Sequence, residues 1–184
     1  FGALGHGITD IDTQQLMCVK FGDINKATEL SVIKGERGNP GEILADIKAT
    51  EVIGSIKLNN ECGIYGTLDL TKIKKNIPDT QIPIAFKNEI HEGPAYIRSN
   101  IEDGTIKNYD AYIENVNRFS TDNSKGMTVR ITDRKLLAKT NGIVQGMSGS
   151  PIIQDNKLVG AITHVFVQEP TRGYGIFIEN MLKQ

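Results

Sequence analysis

The fold is decided by residues 151–165, which read PIIQDNKLVGAITHV. Two apolar runs flank the dipeptide Asp155-Asn156, and both of these residue types tolerate the left-handed backbone of a two-residue turn. β-Branched residues, which favour strands, recur in both runs. The stretch therefore predicts a β-hairpin.

Short extended segments separated by turn residues recur along the rest of the chain. We predict further strands at 15–21, 43–58, 62–70, 82–87, 105–118, 127–132 and 173–178, and the hairpin supplies 151–154 and 157–167. Asn59-Asn60 is one predicted turn, and short helices are predicted at 134–140 and after Ile178. Many short strands and few helices predict an all-β sandwich or barrel, either one domain over 1–184 or two packed barrels joined near 119–126.

The composition is that of a globular protein with balanced charge. Hydrophobic residues make up 39% and charged residues 23% of the 184 positions, with 21 Lys and Arg against 22 Asp and Glu. A net charge near −1 gives no reason to expect nucleic acid or a membrane surface as partner. No apolar run reaches the length of a membrane span. Because the chain begins at Phe1 rather than Met, we expect an excised or processed domain.

A glycine-flanked serine stands just before the hairpin, in Gly146-Met147-Ser148-Gly149-Ser150-Pro151. A nucleophilic serine needs its hydroxyl exposed at a tight turn, with N–H groups beside it to bind an oxyanion. The glycines permit such a turn. Ser148 is therefore the candidate nucleophile, and the N–H groups of Gly146 and Ser148 are the candidate oxyanion donors. The alternative is a plain Gly/Ser-rich loop between strands.

A serine nucleophile needs a base, and the chain has three histidines. His6 is the first candidate, because the glycines on either side of it let the ring approach another loop closely. His91 lies in a polar stretch and is predicted at the surface. His164, the alternative base, lies on the second hairpin strand, where we expect Thr163, His164 and Val165 to contact an extended substrate. The other interpretation of His164 is a partly buried strand residue without a role in the site.

The acid that would orient the base is less well defined. Asp133 continues the period-two alternation of the apolar residues in 127–131, so it would face inward, where a carboxylate needs a partner such as imidazole. Alternatively, it caps the short helix predicted just after it. Asp10 and Asp12 are further candidates, and together with His6 they could instead bind Zn²⁺. The pattern leaves these alternatives open.

The chain has two cysteines, Cys18 and Cys62. They could pair, but two cysteines are a weak indication of a disulfide and leave the redox compartment undecided. Cys18 lies in an apolar stretch, which predicts a buried free thiol.

The motifs at the two ends of the chain together resemble the SpoIVB-type sporulation serine peptidases of endospore-forming bacteria, which belong to the trypsin-like superfamily. The matching stretches are 4–10, 145–152 and 160–165. The resemblance implies a double β-barrel fold with one or two short helices, and a catalytic triad falling on His6, Asp133 and Ser148. Only five residues precede His6, so the first barrel either lacks strands found in other trypsin-like enzymes or is built differently.

The resemblance also has implications for specificity. In trypsin-like enzymes the base of the specificity pocket lies six positions before the nucleophile, which is Gly142 here. No acidic residue lies between Gly142 and Gly146. We therefore expect an apolar or small side chain before the cut rather than Lys or Arg.

The resemblance further implies a role in sporulation. Such peptidases are secreted or membrane-tethered, act between the two forespore membranes and cut themselves. They also cut a membrane-bound regulator of an intramembrane metalloprotease, which then releases a late mother-cell sigma factor. The family's membrane anchor and PDZ domain precede the peptidase and are not in this sequence, so we expect the fragment to be soluble. No cofactor is expected. The alternative function is a non-catalytic β-barrel module that binds an extended peptide or a partner strand.

Overall fold

The structure, a computed structural model of the chain, describes residues 1–73, 81–102 and 105–184. Its strands are β1 (Gly2–Ala3), β2 (Gly22–Ile33), β3 (Glu42–Asn60), β4 (Gly63–Leu68), β5 (Gly93–Glu102), β6 (Thr105–Val116), β7 (Met127–Ile131), β8 (Pro151–Gln154), β9 (Lys157–Val165) and β10 (Arg172–Phe177). Its helices are α1 (Leu70–Ile73), α2 (Arg134–Thr140) and α3 (Ile178–Leu182). The prediction of a mainly β chain with a few short helices is confirmed.

The second half of the chain forms a closed six-stranded barrel, in the order β10-β7-β6-β5-β8-β9. Alternate side chains fill its interior, and in β7 these are Met127, Val129 and Ile131, all buried as the alternation predicts. The predicted hairpin is β8 and β9. Its turn residues, Asp155 and Asn156, have φ angles of 51° and 60°, as a type I′ turn requires.

The first half of the chain forms a four-stranded sheet in the order β1-β4-β3-β2. β3 pairs with β4 only from Gly54 onward, so among the described residues the remaining part of β3 pairs with β2 alone. Residues 25–52 therefore make a two-stranded extension, which we call the ribbon, with residues 34–41 as its turn. Leu44 and Ile47 are exposed on the ribbon. The described side chains of the ribbon form no continuous apolar face around which this part of the sheet could close, and the first half accordingly remains an open sheet rather than a second closed barrel.

The link between the sheet and the barrel differs from the sequence-based expectation. The loop around 119–126 joins β6 to β7, which are neighbouring strands of the same barrel, so it does not connect two barrels. The connection runs instead between β4 and β5. Among the described residues, no helix has both the length and the apolar character needed to cross a membrane.

Several local predictions were wrong. Residues 15–21 form a loop that is bridged at Leu16 to Thr9, and within the described part of the chain residues 82–87 form a bridge between Ile84 and Leu158 rather than a strand. Cys18 lies in the first of these loops and is exposed rather than buried, because no strand carries it into a core. Cys62 is buried, and both thiols are free.

Candidate active site

Ser148 lies on the loop between α2 and β8, where two glycines have left-handed backbone. Gly146 has a φ of 97° and Gly149 a φ of 87°, values that favour glycine. The neighbouring side chains point inward: Met147 is fully buried, and Ser150 is buried with its hydroxyl 3.1 Å from Ser99 Oγ. The half-buried Ser148 side chain is therefore the one in this short stretch that faces the cleft.

His6 reaches the same region through a tight turn at Leu4 and Gly5. Their φ angles are 67° and 72°, and a positive φ at leucine is a strained backbone conformation. Gly5 packs directly on the barrel, since a Cβ there would lie 2.9 Å from Thr163 Cγ2 and 2.8 Å from Ile176 Cγ2. Only glycine allows this close approach, which brings the sheet's first segment onto β9 and β10.

The loop after His6 is held by Asn59, a residue that the sequence analysis did not identify. Its Oδ1 accepts a hydrogen bond from Ile8 N (2.8 Å), and its Nδ2 donates to Ile8 O (2.8 Å) and Met17 O (2.9 Å). Asn59 is buried at the end of β3, so the predicted Asn59-Asn60 turn was wrong. No sequence pattern distinguishes this amide from a turn asparagine, because its role depends on two segments far away along the chain.

His6 and Ser148 line one cleft. The other lining residues are Leu4, Pro40, Ile143, Val144, Gln145, Gly146, Thr163, His164, Val165 and Val167. The Ser148 hydroxyl donates to Thr163 O (2.8 Å) rather than to His6. His6 Nδ1 lies 3.0 Å from Gly7 O, and with the proton on Nδ1, Nε2 is left as the unprotonated nitrogen of the ring.

The predicted substrate-binding residues divide into two groups. Thr163, His164 and Val165 line the cleft, at the end of β9. Gly142 is not among the lining residues; it is buried against Pro170, where a Cβ would lie 2.2 Å from the carbonyl oxygen. The next two residues, Ile143 and Val144, line the cleft in its place. Among the described lining residues there is no Asp, Glu, Lys or Arg, so the wall is largely apolar.

The ring of His164 packs on the ring of His6, with centroids 4.7 Å apart and planes tilted by 37°. Beyond this pair lies a second depression, which both histidines and Asp122 line. Burial, followed by the nearby His6, lowers the pKa of His164 below its ordinary value. The residue is exposed overall, but the His6 ring covers one side of its imidazole. His91 lies on the surface, beside Asp155, as the sequence predicted.

Asp133 has the hydrogen bonds of a helix cap. Its Oδ1 accepts from Lys135 N and Leu136 N at 2.8 Å each, at the start of α2, and Asp110 N lies 3.4 Å from Oδ2. β7 ends at Ile131, so the inward alternation does not extend to Asp133. It borders a depression that Tyr109 and Asp110 also line, and this depression shares no lining residue with the cleft. Among the described residues, no hydrogen bond joins it to His6.

Asp10 and Asp12 belong to the loop after His6. Asp10 Oδ1 accepts from Thr13 N, Thr13 Oγ1 and Asp12 N, so its carboxylate closes its own turn. These hydrogen bonds hold the pKa of Asp10 below its ordinary value, with Thr13 N as the main cause. In the described part of the chain, no three His, Cys, Asp or Glu side chains come together as metal ligands would.

Comparison with known proteins supports the fold and identifies the family. The crystal structure of the Rv3671c protease from M. tuberculosis in its active form aligns with a TM-score of 0.50 and 13% identity, over 79% of this chain and 62% of that one. The inactive form of that protease aligns with a TM-score of 0.48 and 12% identity, over 79% and 71%. This chain thus spans less than two thirds of the length of the active form.

At the level of sequence, no curated protein matches the chain. The model of the SpoIVB peptidase S55 family, however, matches residues 1–182. The resemblance noted in the two motifs therefore extends over almost the whole sequence. The chain belongs to the SpoIVB family of S55 serine peptidases.

Proposed function

We propose that the chain is a serine endopeptidase in which Ser148 is the nucleophile and His6 the general base. The observation that carries the proposal is that these two side chains, from distant parts of the sequence, line the same cleft. The sheet supplies His6 and the barrel supplies Ser148, so residues 1–184 act as one peptidase domain.

The reaction follows from the positions of these groups. An extended substrate lies along Thr163 to Val165 and presents its carbonyl carbon to Ser148 Oγ. The hydroxyl leaves Thr163 O, gives its proton to His6 Nε2 and attacks the carbonyl carbon. His6 then passes the proton to the leaving amine as the C–N bond breaks. A water molecule repeats the sequence on the acyl-enzyme and restores Ser148.

The developing oxyanion needs donors, and the proposed ones are the N–H groups of Gly146 and Ser148. Within the described residues, no acceptor takes a hydrogen bond from either N–H, so both remain available to a ligand. The exposed backbone of Gly146 supports the same assignment.

The resemblance implies that Asp133 is the acid of a triad, whereas its contacts favour a helix cap, and the Asp133→Asn variant discriminates between the two roles. The hydrogen bonds of Asp133 are those of a cap, whereas His6 Nδ1 lies beside the carbonyl of Gly7. That carbonyl can hold the ring in the required tautomer, the role that an acid has in a complete triad.

Family membership supports a narrower proposal about the substrate. The peptidase cuts itself and a membrane-bound regulator of an intramembrane metalloprotease, between the two forespore membranes, and so triggers release of a late mother-cell sigma factor. Incubating the purified chain with such a regulator, and separately with an inactive copy of itself, tests both cleavages.

The test of the peptidase proposal is labelling by a fluorophosphonate probe, with peptide cleavage measured in parallel. Ser148→Ala should abolish labelling and lower turnover by several orders of magnitude. It should stay folded, since the lost hydrogen bond to Thr163 O is worth about 1 kcal/mol. Ser150→Ala is the matched control: it removes a hydroxyl two residues away that bonds to Ser99 and does not line the cleft. Equal cleavage by Ser148→Ala and the parent would rule out the mechanism, and an unlabelled parent would favour a non-catalytic binding module.

A further inference from the structure

The turn of the ribbon pairs with the residue just before the proposed oxyanion loop. Ile43 N donates to Gln145 O (2.8 Å), and Gln145 N donates to Gly41 O (2.7 Å), which makes a short parallel bridge. The first half of the chain therefore contacts the catalytic loop through backbone hydrogen bonds as well as through the His6 turn.

This pairing fixes the orientation of one peptide group. The carbonyl of Gln145 and the N–H of Gly146 belong to the same planar trans peptide, so they point in opposite directions. When Ile43 N holds the carbonyl toward the ribbon, the N–H of Gly146 points away from the ribbon. Glycine at φ 97° leaves this peptide free to flip in the absence of a restraint. A flip would replace an oxyanion donor with a carbonyl oxygen.

The side chain of Ile43 restrains the same residue. A Cβ on Gly146 would lie 3.1 Å from Ile43 Cβ, so the isoleucine packs closely on that α-carbon. Ile43 is partly buried against the hydrophobic core of the barrel, which fixes its own position.

The rest of the ribbon's turn is anchored on both sides of the cleft. Gly35 N donates to Thr140 O (2.9 Å), and Asn141 Nδ2 donates to Gly35 O (2.7 Å). Gly38 N donates to Val167 O (2.8 Å), on the opposite wall. The turn therefore links the segment before Gly146, at residues 140–145, to the segment after β9, at Val167, and so fixes the distance between these two sides of the cleft.

We propose that Ile43 is a positioning residue, whose N–H and side chain keep the Gln145–Gly146 peptide in the orientation that directs the Gly146 N–H at the oxyanion. The inference rests on the proposed function, because it assumes that Gly146 supplies an oxyanion donor. The ribbon would then contribute to catalysis by positioning an oxyanion donor, although it supplies no catalytic side chain itself.

The test uses graded variants of one residue. Ile43→Pro removes the N–H, Ile43→Ala keeps the N–H but removes most of the packing, and Ile43→Val keeps both. Ile47→Ala is the matched control, because Ile47 lies on the same strand and is 65% exposed. For each variant, kcat and KM are measured together with the affinities of a peptidyl boronic acid, which forms a tetrahedral adduct, and of the corresponding product peptide.

We expect kcat to fall by about 10- to 100-fold in Ile43→Pro, somewhat less than complete loss of an oxyanion donor costs. Ile43→Ala should show a smaller loss, and Ile43→Val and Ile47→Ala should stay within about twofold. Boronate affinity should fall in step with kcat while product-peptide affinity and KM stay nearly constant. A merely structural role would lower the folded fraction and leave the ratio of the two affinities unchanged, which overturns the inference.

If Ile43→Pro does not fold, Ile43→Ala decides the question through the same ratio, at smaller amplitude. Labelling of the parent at Ser148 separates the two proposals. An unlabelled, inactive parent contradicts the proposed function itself. A labelled, active parent whose Ile43 variants keep the parental ratio contradicts only the positioning role.

Discussion

Replacing Asp133 by asparagine and by alanine separates its two candidate roles. As the cap of α2, its Oδ1 accepts two backbone hydrogen bonds, and Asn offers an oxygen in the same place. Asp133→Asn should therefore lose only the favourable charge at the helix start, about 0.3–1 kcal/mol. Asp133→Ala should also lose the cap, which costs about 1 kcal/mol more than Asp133→Asn. For a chain of this size, the additional loss lowers Tm by about 2–4 °C relative to Asp133→Asn.

The kinetic consequence follows from the position of His6. Its Nδ1 lies beside Gly7 O, and Asp133 borders a different depression, so turnover in Asp133→Asn should stay within about threefold of the parent. The assay is kcat/KM on a peptide substrate, with a thermal melt of each variant. A turnover loss near 10⁴-fold with an unchanged melt, as expected when a triad acid becomes Asn, would refute this reasoning and establish Asp133 as the triad acid that the resemblance implies.

Three further outcomes are expected. In an NMR titration, the pKa of His164 should lie below its ordinary value of 6.5, because burial and the nearby His6 lower it. The folded state then binds fewer protons than the unfolded state, so the free energy of unfolding should fall as the pH drops below 6.5. The His164→Gln variant should show a smaller fall. A peptide-library profile should favour apolar or small side chains before the cut, and a profile dominated by Lys or Arg would contradict the apolar wall. Iodoacetamide should alkylate exposed Cys18 quickly and Cys62 slowly, because burial raises the pKa of the Cys62 thiol; equal rates, or no reaction at either, would be the contrary result.

The sequence predicted the barrel better than the sheet, because the barrel has a regular inside and outside. The period-two alternation in β7 predicts a strand with one buried face, and Asp155-Asn156 between two apolar runs predicts a two-residue hairpin turn. Both predictions were confirmed. β2 was missed because its described side chains in the ribbon form no continuous buried face that a period-two pattern would indicate. β5 was missed because Ser99 interrupts its apolar pattern, between buried Ile97 and Ile101, where Ser150 supplies the hydroxyl partner.

The same limit applies to the candidate site. The glycines next to His6 and Ser148 indicate tight turns, which is the local backbone that a catalytic histidine or serine needs. The sequence around each residue was therefore enough to single it out. Asn59 and Ile43 act only through contacts with segments far away along the chain. Their residue types are ordinary for strands and turns, and nothing in their own neighbourhoods indicates the contacts.

The division of the cleft between the sheet and the barrel has a consequence for how the protein is made. His6 precedes Ser148 and β9 by more than 140 residues in the chain, and in the folded protein β1 pairs with β4 while the His6 turn packs on β9 and β10. A nascent chain that has not yet reached β9 lacks one side of the cleft, and contacts of such large sequence separation form slowly. We therefore expect the cleft to assemble only after β9 has been synthesised and has folded against the His6 turn.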